Sequence, residues 1–154
     1  PVDLYELIQK LTVFITPQAN KRGIEVQYIR QGNLFIAARS AEIQQVILNL
    51  VANAFDAIDL AARTIKKIRV TVTQHEGFVI CHVEDSGPGL PTHVQKTAFS
   101  FLKTNKSSGM GLGLWLSKYI IERNRGEISV TDSELGGAMF TIKLPVAAPM
   151  TSNA

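Results

Sequence analysis

Apolar residues recur at helical spacing in two long segments of the chain's first half. Residues 4–15 predict a helix that ends near Pro17, because proline removes a backbone donor and clashes with the preceding turn. The longest helical pattern has Ser40 as its predicted N-cap and extends to about Ala62. Its predicted core stripe is Ile43, Val46, Ile47, Leu50, Ala54 and Ile58.

Shorter apolar runs, several of them alternating with polar residues, predict strands. His75, Glu76 and Gly77 fit the turn of a hairpin between two of these runs. A third helical pattern, residues 111–124, precedes the last two runs, and Gly126 fits its C-terminal stop. The predicted strands are residues 24–29, 34–37, 68–73, 78–83, 127–131 and 139–144.

The order of these elements predicts an α/β fold. We expect a two-layer α/β sandwich, in which a mixed, mostly antiparallel sheet of about five main strands packs on three helices. At 154 residues, the chain is long enough for one domain, expected over residues 1–146 with a frayed tail at 147–154. Its first residues, which resemble neither a signal peptide nor an initiator methionine, indicate a piece of a longer protein.

Composition narrows the class of protein without identifying it. The net charge of +3 suits an anionic ligand and does not indicate nucleic-acid binding. Cys81 is the only cysteine, which excludes an internal disulfide and predicts a reducing, cytoplasmic compartment. No apolar run approaches the roughly 18 residues that span a bilayer, so we expect no membrane contact by this chain.

Residues 85–114 contain two glycine clusters, one at each end, with a long and mostly polar stretch between them. A loop of this length inside a compact domain is usually a lid or a binding loop. Glycines allow the backbone to turn sharply and to approach a ligand closely. We therefore predict a phosphate-bearing ligand between the clusters, with Lys103 and Lys106 on the lid that covers it.

Asn49, Asn53 and Asp56 are spaced i, i+4 and i+7 on the long helix, so they are predicted to share a face. Asparagine favours caps and turns over helix interiors, so two in one row need a reason. One interpretation is a solvated helix edge. The other is the rim of a pocket, where an amide oxygen suits Mg²⁺ as a ligand.

Asp85, Gly87 and Gly89 directly follow an apolar strand pattern. A carboxylate at a strand end can accept a hydrogen bond from an exocyclic amine, and the glycines let the backbone pass over a flat ring. Taken alone, such a motif is often a plain turn.

Gly109, Gly111 and Gly113 lead into the third predicted helix. Backbone N–H groups at a helix N-terminus bind anions. The spacing matches neither the P-loop nor the dinucleotide-binding fingerprint, so it predicts a phosphate loop of another kind.

In this order, the three motifs resemble those of the catalytic ATP-binding domain of sensor histidine kinases. That family belongs to the superfamily shared with gyrase, mismatch-repair ATPases and a heat-shock chaperone. Residues 45–54 are similar to its N box, residues 85–89 to its first glycine box and residues 109–114 to its second. Residues 99–102 resemble the F box, and residues 104–106 resemble the lid of the nitrogen-regulation type of kinase.

The resemblance implies binding of ATP and Mg²⁺ and transfer of the γ-phosphoryl group to a histidine. The implied catalytic residues are Asn53 as the Mg²⁺ ligand, Asn49 as a support for the phosphates or for a metal-bound water, and Lys106 on the lid. Asp85 would bind the adenine amine. The implied nucleotide-binding residues are Asn49, Asn53, Asp56, Asp85, Gly87, Gly89, Leu90, Thr104, Lys106, Gly109, Met110, Gly111, Leu112, Gly113 and Leu114.

The type of residue at the position of Asn49 distinguishes a kinase from a hydrolase in this superfamily. Hydrolysing relatives carry a glutamate there as general base, and an amide cannot take a proton at neutral pH. The implied partners are therefore an upstream dimerisation domain with the acceptor histidine and a response regulator. Two alternatives stay open: an anti-sigma-type serine protein kinase, and a nucleotide-sensing module without phosphotransfer.

The three histidines and one basic cluster are interpreted as having no chemical role. His75 lies in the predicted hairpin turn, and His82 and His93 are expected to be structural or solvated. The basic cluster Arg63, Lys66, Lys67 and Arg69 is predicted to solvate a helix-to-strand connection, with partner docking as the alternative.

Overall fold

The computed structural model describes residues 1–100 and 111–147. The helices in these ranges are α1 (Leu4–Arg22), α2 (Ser40–Ala61), α3 (Thr92–Thr97) and α4 (Gly111–Arg123). The strands are β1 (Val2–Asp3), β2 (Glu25–Gln31), β3 (Phe35–Ile36), β4 (Lys67–His75), β5 (Phe78–Asp85), β6 (Glu127–Asp132) and β7 (Ala138–Pro145).

Five strands form one sheet in the order β2-β4-β5-β7-β6, and β1 pairs separately with β3. β2 and β4 are parallel, while the other neighbouring pairs of the sheet are antiparallel. α2 contacts α1, α4 and the central strand β5, which places the helices in one layer against the sheet. This arrangement confirms the predicted two-layer sandwich. Within the described ranges, no helix has the length and apolarity needed to cross a membrane.

The core lies between α2 and the sheet. All six residues of the predicted α2 stripe are buried. Alternate residues of β4 face them, since Ile68, Val70 and Val72 are fully buried while their neighbours are half-buried. The long helix is thereby fixed over the centre of the sheet, and its polar side is left at the end where β5 stops.

α1 continues past Pro17, so the prediction that it ends there is wrong. The residue whose carbonyl loses its partner to the proline is Val13, which is 66% exposed and therefore open to water. Ile15 and Ala19 carry the buried stripe across the proline. The helix ends at Gly23, which adopts the left-handed conformation with φ of 67°.

Two predicted helix boundaries are corrected. Ser40 is the first helical residue of α2, and Arg39 occupies the N-cap position without a side-chain hydrogen bond. After α4, Arg125 rather than Gly126 takes the left-handed conformation, with φ of 66°. Gly126 is needed for a different reason, because a Cβ there would overlap the carbonyl oxygen of Lys143 in β7.

The short helix α3 occupies part of the stretch predicted as a loop. Gln95 fixes it, because its Nε2 donates to the Leu90 carbonyl at 2.9 Å and to Asp132 Oδ1 at 2.8 Å. Phe99 then packs edge-on against Phe140, with ring centroids 6.1 Å apart. The beginning of the predicted loop is therefore built onto β6 and β7.

Candidate functional site

Asp85 ends β5, and the residue is only 2% exposed. Its Oδ1 accepts hydrogen bonds from the backbone N–H of Gly87 at 2.9 Å and of Ala138 at 3.3 Å. Burial raises the pKa of Asp85 above its ordinary value of 3.8, and the two backbone donors and the charge of Arg63 oppose that rise. Since the hydrogen bonds among the described residues go to Oδ1, Oδ2 keeps its capacity to accept from a ligand.

The turn between β6 and β7 closes over this carboxylate. The Gly137 N–H donates to the Asp85 carbonyl at 3.0 Å. A Cβ at Gly137 would overlap Asp85 Oδ1 and lie 2.7 Å from the Gly87 nitrogen. A Cβ at Gly87 would lie 2.9 Å from the Ala57 Cβ of α2. Small residues are required here because three segments of backbone meet around one side chain.

A small cavity lies beside the carboxylate. Its volume of about 20 Å³ suits one water-sized group, such as an exocyclic amine. The cavity brings Asn53 of α2 together with Asp85, Gly89 and Leu90, and all four were predicted as nucleotide-binding residues. The lining consists of Asn53, Ala57, Asp85, Gly89, Leu90, Ala138 and Phe140.

Asn53 has a buried amide nitrogen that finds no hydrogen-bond partner among the described residues. An unpaired buried donor costs about 1–3 kcal/mol. Single side-chain atoms of Gln9, Arg22, Gln27 and Tyr28 are also buried without a partner in the described part of the chain, so the Asn53 amide is informative because it lines the cavity. The side chain therefore has hydrogen-bonding capacity to spare at the wall of the cavity.

Asn49 lies one helical turn before Asn53 and faces the start of α4. Its Nδ2 donates to Oγ of the fully buried Ser117 at 3.4 Å. A Cβ at Gly113 would stand 3.9 Å from the Asn49 Cγ, so the first turn of α4 lies against this side chain. The two asparagines thus form a row from the cavity to a helix N-terminus.

Asp56 is not brought to the cavity. It is exposed and lines a groove between α1 and α2, together with residues such as Phe14 and Arg22. Ala57, four residues after Asn53, lines the cavity instead, because four-residue steps keep one side of a helix.

The second glycine motif is described only from Gly111, the first residue of α4. Leu112 is 58% exposed, whereas Leu114 is fully buried, so the side chain of Leu114 belongs to the core. The other predicted residues of the motif and lid, Thr104, Lys106, Gly109 and Met110, lie outside the described residues.

A second carboxylate, Glu84, lies next to Asp85 in sequence on the opposite face of the sheet. Arg69 donates to it from Nε at 2.9 Å and from Nη2 at 3.2 Å. Ser133 Oγ also donates to it at 2.9 Å, and Arg69 pairs in addition with Glu134. The prediction that Arg69 is merely solvated is therefore wrong, since its side chain is only 19% exposed.

Ala57, Arg63 and Glu84 were not predicted from the sequence as neighbours of the site. Gly137 was predicted only as a residue between two strands. Arg63 Nη1 donates to the Ser86 carbonyl at 3.5 Å, directly behind the first glycine motif. These contacts depend on strand register and on the path of a turn, neither of which a motif reveals. The pair of consecutive glycines before β7 was the available signal for a close backbone approach.

The side chains around the cavity offer few ligands for a metal ion. Among the described residues, no group of three or more His, Cys, Asp or Glu side chains could hold one. The side chain of Asn53 offers one amide oxygen, and a single oxygen ligand fits Mg²⁺, which keeps several waters and is commonly bound through few protein ligands plus substrate phosphates.

The sequence matches the family model of histidine kinase-, DNA gyrase B- and HSP90-like ATPases over residues 38–148. The sensor histidine kinase ZraS of Escherichia coli O157:H7 is 35% identical over 94% of this chain and 31% of its own length. The C4-dicarboxylate transport sensor protein DctS of Rhodobacter capsulatus is 30% identical over 94% of this chain and 22% of its own. The chain thus spans less than a third of either relative.

Solved structures show the same fold. The catalytic domain of the histidine kinase ThkA superposes with a TM-score of 0.81 at 31% identity, covering 94% of this chain and 93% of that one. Full-length ShkA in complex with AMPPNP superposes with a TM-score of 0.79 at 26% identity, covering 97% of this chain and 32% of that one.

Proposed function

This chain belongs to the family of histidine kinase-, DNA gyrase B- and HSP90-like ATPases, and we propose that it is the catalytic ATP-binding domain of a two-component sensor histidine kinase. Its reaction is transfer of the γ-phosphoryl group of ATP to a histidine on a dimerisation domain outside this chain. The observation that carries the proposal is the cavity shared by Asn53 and Asp85, in which a buried carboxylate faces the space beside a buried amide without a partner.

Asp85 recognises the base in this proposal. Its free carboxylate oxygen accepts a hydrogen bond from the exocyclic amine of adenine, while Oδ1 stays bound to Gly87 and Ala138. Hydrogen bonds to a charged group contribute about 1.5–3 kcal/mol, more than neutral ones. Gly89 and Leu90 supply backbone and apolar surface beside the ring.

The row of asparagines leads from the base to the phosphates. Asn53 is the protein ligand of Mg²⁺, and Asn49 supports the phosphates at the first turn of α4, where Gly111, Leu112 and Gly113 present backbone N–H groups. When bound, Mg²⁺ neutralises the charge that develops on the phosphates during transfer. In this proposal Thr104 and Lys106 on the lid and Gly109 and Met110 of the second glycine motif complete the phosphate site. Asp56 stays a predicted nucleotide-binding residue that does not line the cavity.

The described site favours transfer over hydrolysis. Asn49 has no basic group to activate water. Glu42, the acidic residue in the first turn of the same helix, is engaged elsewhere. Its Oε1 lies 3.4 Å from Arg123 Nε and accepts from Asn124 Nδ2 at 3.1 Å. A site that positions ATP without a base for water suits a protein nucleophile, and positioning then supplies most of the catalysis.

The partners in this proposal are the dimerisation domain with the acceptor histidine and a response regulator that takes the phosphoryl group onward. The free, buried thiol of Cys81 and the need for ATP suit the cytoplasm.

The test is to incubate the full-length protein with γ-labelled Mg·ATP and to examine the stability of the protein-bound label. Phosphohistidine is labile in acid and stable in base, so the proposal predicts a label lost in acid. A label that survives acid would indicate a serine kinase. ATP binding without any label would indicate a nucleotide-sensing module.

A further inference from the structure

We infer that Glu84 and Ser133 are positioning residues for adenine recognition, which they control by fixing the β6–β7 turn against Asp85. This inference rests on the proposed function, because it takes Asp85 as the acceptor of the adenine amine. Neither residue lines the cavity, so both act through the turn.

Two consecutive carboxylates hold the same turn from opposite faces of the sheet. Successive residues of a strand point to opposite faces, so Glu84 and Asp85 diverge from the end of β5. Asp85 accepts from the backbone of Gly137 and Ala138 at one end of the turn. Glu84 accepts from Ser133 Oγ at the other end. The turn is therefore clamped at both ends.

Ser133 is the centre of the turn's own hydrogen bonds. Its N–H donates to the Gly137 carbonyl at 2.8 Å, and its carbonyl accepts from the Gly136 N–H at 3.0 Å. Its Oγ accepts from the Leu135 N–H at 3.0 Å while donating to Glu84. A shift of Ser133 therefore moves the whole turn, including the residues that contact Asp85.

Glu84 is itself held in place. Its cross-strand partner Arg69 donates to both carboxylate oxygens, and the Glu84 side chain is only 8% exposed. Arg69 also pairs with Glu134 in the turn, which adds a second connection between the sheet and the same segment. Glu84 is thus a fixed anchor, and the turn is positioned relative to it.

The orientation of Asp85 depends on this anchor. The bond from the Ala138 N–H to Oδ1 is the longer of its two backbone bonds, at 3.3 Å against 2.9 Å for Gly87. A small outward shift of the turn breaks that bond first and leaves Oδ1 held by the Gly87 N–H alone, about which the carboxylate can rotate. The oxygen aimed at the adenine amine then loses its alignment, while the phosphate end of the site stays intact.

The experiment compares ATP with purine riboside triphosphate, which lacks the exocyclic amine, in binding to this chain by calorimetry. Ser133→Ala removes both hydrogen bonds of the hydroxyl, the one donated to Glu84 and the one accepted from the Leu135 N–H, at an almost unchanged volume. We expect Ser133→Ala to weaken ATP binding about twofold to tenfold, the range for losing one net hydrogen bond between Asp85 and the adenine amine. The affinity for the amine-free analogue should not change. Ser133→Thr keeps the hydroxyl and should restore the preference for ATP.

Thr141→Val is the matched control. It removes the hydrogen bond between Thr141 and His82, 2.8 Å long, from the same face of the sheet without touching the turn. Its preference for ATP over the analogue should equal that of the wild type.

Three outcomes are decisive. Equal losses of affinity for both nucleotides in Ser133→Ala would make the serine merely structural and overturn the inference. An unchanged ATP affinity in Ser133→Ala would overturn it as well. A wild-type chain that binds both nucleotides equally would contradict the role of Asp85 in the proposed function, and the inference would fall with it.

Discussion

The Gly137 backbone N–H donates to the Asp85 carbonyl at 3.0 Å, and a Cβ on Gly137 would overlap the Asp85 carboxylate. The position admits no side chain because the glycine backbone packs directly against Asp85 and the Gly87 nitrogen. Gly137→Ala must therefore displace either the turn or the carboxylate. Overpacking of this kind costs about 1–3 kcal/mol.

We predict that Gly137→Ala lowers the melting temperature and reduces ATP affinity at least tenfold. Circular dichroism melting and calorimetric titration measure the two effects. Ser129→Thr adds one methyl group at an exposed position of the neighbouring strand β6 and serves as the control. Wild-type stability and affinity in Gly137→Ala would contradict the contact.

Asp85→Asn should weaken ATP binding at least tenfold, because it removes a charge-assisted hydrogen bond of about 1.5–3 kcal/mol. Affinity for GTP, which carries no amine at that position of the base, should change little. Asp59→Asn is the control, since Asp59 is an exposed aspartate near the end of α2 that pairs with Arg22. An Asp85→Asn variant with undiminished ATP affinity would remove Asp85 from the site.

Asn53→Ala should reduce affinity for Mg·ATP much more than affinity for metal-free adenosine, because adenosine has no phosphates to hold the metal that the Asn53 amide oxygen would bind. Titrations with each ligand, with and without Mg²⁺, give the comparison. Asn20→Ala changes an exposed asparagine of α1 and should affect neither ligand. Equal losses for the two ligands would refute the metal assignment.

The stability of the fold should depend on pH through His82. Burial lowers the pKa of His82 from its ordinary 6.5, and nearby Glu84 opposes the effect. The unfolded chain takes up a proton near pH 6.5, and the folded chain does so only at lower pH. The free energy of unfolding therefore falls as the pH drops below about 6.5, until the folded histidine also titrates.

Urea denaturation at about pH 7.5 and about pH 5.5 measures this dependence. His82→Gln should reduce it, whereas His93→Gln, which changes an exposed histidine, should leave it as in the wild type. The same pH dependence in both variants would mean that His82 is not the group responsible.

Hydrophobic periodicity was sufficient to predict those features of the fold that depend on one face of a single helix or strand. The buried stripe of α2 follows from spacing alone, and the same spacing puts Asn49 and Asn53 in one row. Asp56 shows the limit of predictions from spacing. It was predicted to share the face of Asn49 and Asn53, but Ala57 lines the cavity and Asp56 lines a different groove.

Contacts between distant segments could not be predicted. The pairing of Arg69 with Glu84 requires the register of β4 on β5, and the hydrogen bond from Ser133 requires the path of the turn. Pro17 lies inside α1 because tertiary burial of Ile15 and Ala19 outweighs the lost backbone bond. Local sequence carries none of this information.

The central claim is that the cavity between Asn53 and Asp85 receives the exocyclic amine of adenine and is the base end of the nucleotide site. Amide NMR during a titration of this chain with Mg·ATP tests it most directly. The backbone resonances of Gly87 and Ala138, which donate to the Asp85 carboxylate, and the side-chain amide of Asn53 should shift with one common saturation curve. Adenosine alone should shift Gly87 and Ala138 as Mg·ATP does, and should shift the Asn53 side-chain amide less than Mg·ATP does. Saturable ATP binding that leaves all three resonances in place would contradict the claim.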